Sequence, residues 1–214
     1  MDINNCSNST QPFSKKKSFF TSHSILTLQT KLRNSKPFPH IILKNFLPKP
    51  QAIDLLKALK HEPFELKQSD LFCLYQTKDL ISSTNQHIQQ FRTFLASKAF
   101  TNNLTKITNI KLIPNTIDMA GTIYIDTNYL LPHDDQLEGR KIAYIYYLST
   151  LTKNDGGALA FYNSKHNQPI SIVKRTQPTF NTLLLFPVTT NSFHEVEEII
   201  TNTQRIAISG WFHG

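Results

Sequence analysis

From Thr116 to its end the chain is a series of short β-branched and aromatic runs, at 117–125, 140–148, 158–162, 170–174, 182–188 and 204–212. Runs of this length at such regular spacing, broken by turn residues, suit the antiparallel strands of a sandwich or barrel rather than a parallel sheet with crossover helices. The upstream half has a helical texture. Ser24 to Leu32 spaces Ile25, Leu28 and Leu32 as one turn-by-turn stripe, and Pro50 stands at the mouth of a segment whose Ile53, Leu55, Leu56 and Leu59 form another. Pro37 to Leu43 reads as a short strand with proline at its entrance. Gln68 to Leu80 reads as non-helical; Ser83 or Thr84 is expected to cap a helix carrying Ile88, Phe91, Phe94 and Leu95, and a third runs from Lys98 to about Ile107. The class is α+β, mainly β, with helices ahead of a β core.

At 214 residues the chain is expected to hold one domain, 37–214, behind a basic polar N-terminal tail, 1–36, largely disordered apart from that first helix. A body of about 180 residues buries roughly 70% of its unfolded surface, enough for a core without disulfides. Cys6 and Cys73 lie far apart, one of them in the tail, so a reducing compartment, cytosol or nucleus, is the expectation. The net charge of +8 divides unevenly: residues 1–36 hold six basic groups against Asp2, leaving seventeen basic and fourteen acidic residues in the body. A body so nearly balanced carries no footprint for phosphate binding, so no nucleic-acid partner is expected, and Lys15 to Lys17 read as a solvated tail. Residues 2–18 contain no apolar signal-peptide core, and runs such as Thr182 to Val188 are too short to cross a bilayer.

The chemistry-bearing residues lie on the β runs. In Leu131-Pro132-His133-Asp134-Asp135-Gln136 an imidazole and a carboxylate stand two residues apart. Strand alternation would put His133 and Asp135 on one face, roughly 6.5 Å apart along the backbone, with Asp134 on the other. His194 follows the run 182–188 after a short turn. Arg205 opens the last run, where Arg205, Ala207 and Ser209 share a face; an arginine on such an apolar strand calls for an anionic partner. Two histidines and a carboxylate from separate strands form the facial triad of non-haem Fe(II) oxygenases, which leaves coordination positions open. Tyr147 lies fourteen residues beyond His133, and an Arg paired with a Tyr could hold a distal carboxylate.

From about Pro37 onward the chain resembles the 2-oxoglutarate- and Fe(II)-dependent prolyl hydroxylases that modify a small-subunit ribosomal protein near the decoding centre. The resemblance is carried by Leu131 to Ala143 (LPHDDQLEGRKIA), by Gly156-Gly157-Ala158-Leu159 and by Ile208 to Gly214 (ISGWFHG), with Asp70-Leu71-Phe72 and Gln76 to Leu80 ahead of them. It implies a double-stranded β-helix (jelly-roll) with helices packed outside. It further implies iron ligation by His133, Asp135 and His194, 2-oxoglutarate binding by Tyr147 and Arg205, and Tyr124 beside the cosubstrate. The implied cofactors are Fe(II), 2-oxoglutarate and O2, with ascorbate supporting activity; the implied partner is a protein substrate, a ribosomal protein. Well-known eukaryotic members continue into a second, non-catalytic β-helix domain, which this chain is expected to lack.

Plainer readings cover the remaining candidates. His213 and Trp211 read as packing residues, Trp211 as core on the face opposite Gly210 and Phe212. His40, His61, His87 and His166 have no partner at ligand spacing. Gly156-Gly157 reads as a turn at positive φ, because no helix pattern follows to make a phosphate loop. Two alternatives stay open: hydroxylation of another protein, such as an elongation factor or a hypoxia-type regulator, and a non-catalytic β-helix binding module.

Overall fold

The computed structural model describes residues 20–214; the start of the expected tail, with Lys15 to Lys17 and Cys6, lies outside them. Four helices precede and flank an antiparallel β core: α1 (Ser22–Asn34), α2 (Lys49–Lys60), α3 (Gln86–Ala96) and α4 (Lys98–Thr108). The strands are β1 (Ile41–Lys44), β2 (Glu65–Ser69), β3 (Phe72–Gln76), β4 (Ala120–Tyr124), β5 (Tyr129–His133), β6 (Arg140–Tyr147), β7 (Leu159–Lys165), β8 (Gln168–Thr176), β9 (Thr182–Pro187), β10 (His194–Val196) and β11 (Arg205–His213).

Helix boundaries follow local chemistry. Pro50 falls in the first turn of α2, where its missing N–H costs nothing. The cap of α3 is Asn85, whose Oδ1 accepts from the His87 N–H at 3.0 Å. Ser83, one of the expected caps, instead accepts from the Asn85 N–H and donates to Glu62, so it shapes the turn before the helix. Ser97 caps α4, and Asn109 at φ 59° closes it by donating its N–H to the Thr105 carbonyl. Packing extends ahead of Pro37: Leu28 and Leu32 of α1 are buried, and Gln29 donates to the Lys106 carbonyl of α4.

The strands curl in the order β1-β9-β6-β11-β4-β3-β5-β10-β7-β8, with β2 paired to β3 off this path. Every pairing is antiparallel, as the sequence implies. Alternation divides the sheet into an outer and an inner face. Tyr144 and Tyr146 of β6, Leu183 and Leu185 of β9 and Ile206 and Ile208 of β11 meet Leu55, Leu59, Ile88, Phe91 and Phe100 of the helices. Ala143, Ile145 and Tyr147, Leu184 and Phe186, and Ala207 face inward, towards Leu159, Phe161 and Val196 of the opposite wall. The helices cover the outer face of one wall, and the inner face lines the site.

Candidate active site

β5 and β10 are paired so that His133 lies directly opposite His194, which brings two residues sixty-one positions apart into ring contact at 4.2 Å between centroids. Asp135 joins them by another route than the one alternation suggests. β5 ends at His133, and Asp135 follows in the turn at φ 64°, a left-handed conformation uncommon for residues other than glycine. That bend swings its carboxylate back between the rings, Oδ1 3.4 Å from His133 Nε2 and Oδ2 3.4 Å from His194 Nε2. One ligand atom from each residue lies within 4.8 Å of the others, and this is the sole such cluster of three among the described residues.

The donor set is prepared for a metal. His133 Nδ1 bonds the Leu131 carbonyl at 2.9 Å and His194 Nδ1 the Ser192 carbonyl at 2.8 Å. A carbonyl only accepts, so each Nδ1 carries a proton and, in the neutral ring that a metal binds, each Nε2 holds the lone pair. Burial, with the neighbouring His133, pushes His194 down to about 4, so it is neutral at physiological pH. Burial alone would raise the Asp135 carboxyl, but the two imidazoles outweigh it and hold the group well below the carboxylate range. His133 shows the converse balance: burial lowers it, and the Asp135 carboxylate more than compensates. Asp134 takes no part; its carboxylate accepts from the backbone and side chain of Gln136.

Arg205 projects inward from the start of β11 and is 2% exposed. Its Nε donates to the Gly157 carbonyl at 3.1 Å, while Nη2 is buried without a partner. Gly156 and Gly157 sit at φ 73° and 65°, and a Cβ on Gly156 would strike the Glu198 carbonyl, so the turn that presents this anchor requires glycine. Tyr124 lies opposite Arg205 on β4, and the rings of Tyr124 and Tyr147 stand 5.0 and 5.2 Å from the guanidinium carbon. Burial pushes the Tyr124 phenol up to about 12 and raises that of Tyr147, so both keep their protons. The Tyr147 hydroxyl, like Arg205 Nη2, is buried and unpartnered. Two orphaned donors side by side, one of them cationic, fit an incoming carboxylate.

A cavity of about 410 Å³ joins the triad to Arg205 and Tyr124 and is lined also by Leu74, Ile145, Leu159, Phe186 and Val196; Tyr147 stands beside Arg205 without being part of that lining. Residues 119–213, which hold the triad, Arg205, Tyr124 and Tyr147, match the 2OG-Fe(II) oxygenase superfamily. The chain carries an oxygenase domain of that superfamily. Its members require Fe(II), 2-oxoglutarate and dioxygen, and the donor set described above suits the first two.

Over 185 residues, 83% of its length, the chain is 41% identical to prolyl 3-hydroxylase OGFOD1 of Mus musculus; over 188 residues it is 39% identical to that of Xenopus laevis. It spans about a third of the length of these curated relatives. In three dimensions it superposes on a Pseudomonas putida prolyl-4-hydroxylase with a TM-score of 0.71 at 15% identity, covering 88% of this chain and 98% of that one. A Trichoplax adhaerens prolyl hydroxylase, solved with a hypoxia inducible factor peptide, gives 0.71 at 17% identity, covering 89% of each chain. The oxygenases of known structure share its double-stranded β-helix.

Two residues of the site were not singled out in the sequence as functional. Trp211, expected in the core, lines the cavity mouth, and Arg140 stacks on it with its guanidinium carbon 3.3 Å from the ring centroid. The signal was available, since Trp211 has the strand parity of Arg205. His213 pairs with Asp118 at 3.1 Å, away from the triad.

Proposed function

We propose that the chain is a 2-oxoglutarate-dependent hydroxylase of a prolyl residue in a protein, in which His133, Asp135 and His194 hold Fe(II) and Arg205 with Tyr147 holds the distal carboxylate of 2-oxoglutarate. The observation that carries this reading is a three-ligand cluster and the buried Arg205 on one cavity, with an orphaned donor on that arginine and a second, the Tyr147 hydroxyl, beside it. The iron with its cosubstrate and dioxygen supplies the oxidation, in which 2-oxoglutarate becomes succinate and CO2 and one oxygen atom enters a substrate C–H bond. The protein orients and shields. Each histidine presents its Nε2 because its Nδ1 proton is tied to a backbone carbonyl, and Asp135 adds the compensating charge. Arg205, fixed by Gly157, and the Tyr147 hydroxyl bind one end of the cosubstrate and so set the direction of the other. Tyr124 closes the space beside the guanidinium. The apolar walls exclude water from the reacting end, which strengthens each charged contact inside.

Identity of about two fifths to proteins named prolyl 3-hydroxylase supports proline as the target and its C3 as the carbon attacked. A small-subunit ribosomal protein near the decoding centre is the proposed substrate, with ascorbate sustaining turnover and the cytosol or nucleus as the place. The test is incubation of the protein with Fe(II), 2-oxoglutarate, ascorbate and proline-containing peptides from that protein, from an elongation factor and from a hypoxia-type regulator. Mass spectrometry should find one added oxygen in the ribosomal peptide, with matching succinate. Oxygen added only to another peptide refutes the substrate, and succinate in no mixture refutes the reaction.

A further inference from the structure

The space around the triad does not end at Trp211. Lys67, Gln76, Arg140, Ser209 and Trp211 line the triad's cavity and also a second one of about 350 Å³, so the two adjoin along these five residues. The second cavity continues along Thr77 to Asp79, where the chain leaves β3, and along Asp118 to Ala120, where it enters β4.

Most polar groups at this junction are already taken. Lys67 is bonded to Glu65 at 2.7 Å, Arg140 lies on the Trp211 ring, and Asp118 faces Arg140 and His213. Asp79 accepts from the N–H groups of Ile81 and Met119, and the Thr77 hydroxyl accepts from the Gly121 N–H and donates to the Lys78 carbonyl. The Gln76 amide and the Ser209 hydroxyl differ, since neither has a hydrogen-bond partner among the described residues. Gln76 is on the inner face of β3, two residues after Leu74 and directly opposite Thr122 of β4, and all three line the triad's cavity.

An amide side chain carries one acceptor and two donors, so it can pair with both the C=O and the N–H of a single peptide group. The nitrogen of a proline has no N–H. A peptide group that offers both partners therefore lies further along a prolyl substrate's chain, beyond that nitrogen. We propose that the second cavity receives the substrate polypeptide on one side of the target prolyl residue, and that the Gln76 amide pairs with a peptide group of this flanking segment. The proposal rests on the reading of the chain as a hydroxylase of a prolyl residue in a protein. It makes Gln76 a residue that selects polypeptide over free proline without reading side chains.

The test uses the iron-loaded protein and whichever of the three proline-containing peptides above gains oxygen. One form is cut close to the proline on both sides, and two are extended on one side each by about three residues, roughly 10 Å of chain. One extension should lower KM and the other should not, because the second cavity lies to one side. Gln76→Ala should raise KM for the favoured extended peptide about ten- to a hundredfold, as expected for the loss of one or two neutral hydrogen bonds, and leave kcat unchanged. Its thermal midpoint should match that of the wild type, because the amide has no partner inside the protein. Ala120→Phe, which fills the second cavity, should bring KM for the extended peptide to that for the short one. Equal KM for all three forms in the wild type, or an advantage of the extended form that survives in Ala120→Phe, overturns the role of the second cavity. Wild-type KM in Gln76→Ala overturns the role of Gln76; should Ala120→Phe not fold, the wild-type series and Gln76→Ala decide. Oxygen added to no peptide refutes the functional reading and this proposal with it.

Discussion

Replacing Tyr147 by phenylalanine removes one oxygen atom from a fully buried side chain and separates two roles that most substitutions confuse. The hydroxyl has no hydrogen-bond partner in the ligand-free protein, where it stands beside the Arg205 guanidinium. A buried polar group left unpaired costs about 1–3 kcal/mol, so its removal should leave the ligand-free protein at least as stable, by up to about 1 kcal/mol. For a domain of this size that is a rise of about 2–4 °C in melting temperature. With 2-oxoglutarate bound, the same hydroxyl would donate to a carboxylate, a bond worth about 1.5–3 kcal/mol. At 1.4 kcal/mol per factor of ten, the affinity for 2-oxoglutarate should fall roughly ten- to a hundredfold. The assay is thermal melting of Mn(II)-loaded protein under nitrogen at increasing 2-oxoglutarate, since the stabilisation follows RT ln(1 + [L]/Kd). A variant that melts lower without 2-oxoglutarate and responds to it like the wild type would show that the hydroxyl is structural and that the anchor is wrongly placed.

His133→Ala and Asp135→Ala should each abolish succinate formation, whereas Arg205→Ala should mainly raise the 2-oxoglutarate requirement; wild-type turnover in His133→Ala would refute the ligand assignment. Asn181→Ala should cost about 3 kcal/mol or more in urea unfolding, because one buried amide accepts from the Leu47 N–H and the Tyr146 hydroxyl and donates to the Leu47 carbonyl. A loss below about 1 kcal/mol would mean that its neighbours find other partners. His40 is held below its ordinary value chiefly by burial and further by Lys174, whose ammonium donates to its Nε2 at 2.7 Å. As pH falls through about 6.5, the unfolded chain takes up a proton there that the folded chain resists, so stability drops. His40→Gln should lose less stability than the wild type between pH 7.5 and 5.5; an equal loss would place the acid sensitivity elsewhere.

The longer strands of the β core were legible as β-branched and aromatic runs because β6, β9 and β11 are buried on both faces, one against helices and one inward, as at Tyr144 and Tyr146 against Ala143 and Tyr147. Arg205 was legible on the same grounds. The β2–β3 hairpin was not: Glu65 to Ser69 and Phe72 to Gln76 contain no Val, Ile or Thr, and Asp70-Leu71 between them lacks the glycine that marks a tight turn. β10 is three residues long, too short for any period to register. Trp211 was assigned to the core because a lone large aromatic on an apolar strand carries no sign of what its other side meets.

Composition, periodicity and motif order determined the class of fold, the helix faces and the set of residues available for chemistry, because those depend on neighbours a few positions apart. Assembly into a site was decided by contacts between residues far apart in the chain. The register of β5 against β10 sets His133 opposite His194, and that of β4 against β11 sets Tyr124 opposite Arg205. The case of Asp135 shows the division most clearly. Strand alternation placed it on the histidine's face for the wrong reason, since the strand stops at His133 and a left-handed turn does the placing. Such a turn in a non-glycine residue is sustained by the packing around it, which no local pattern records.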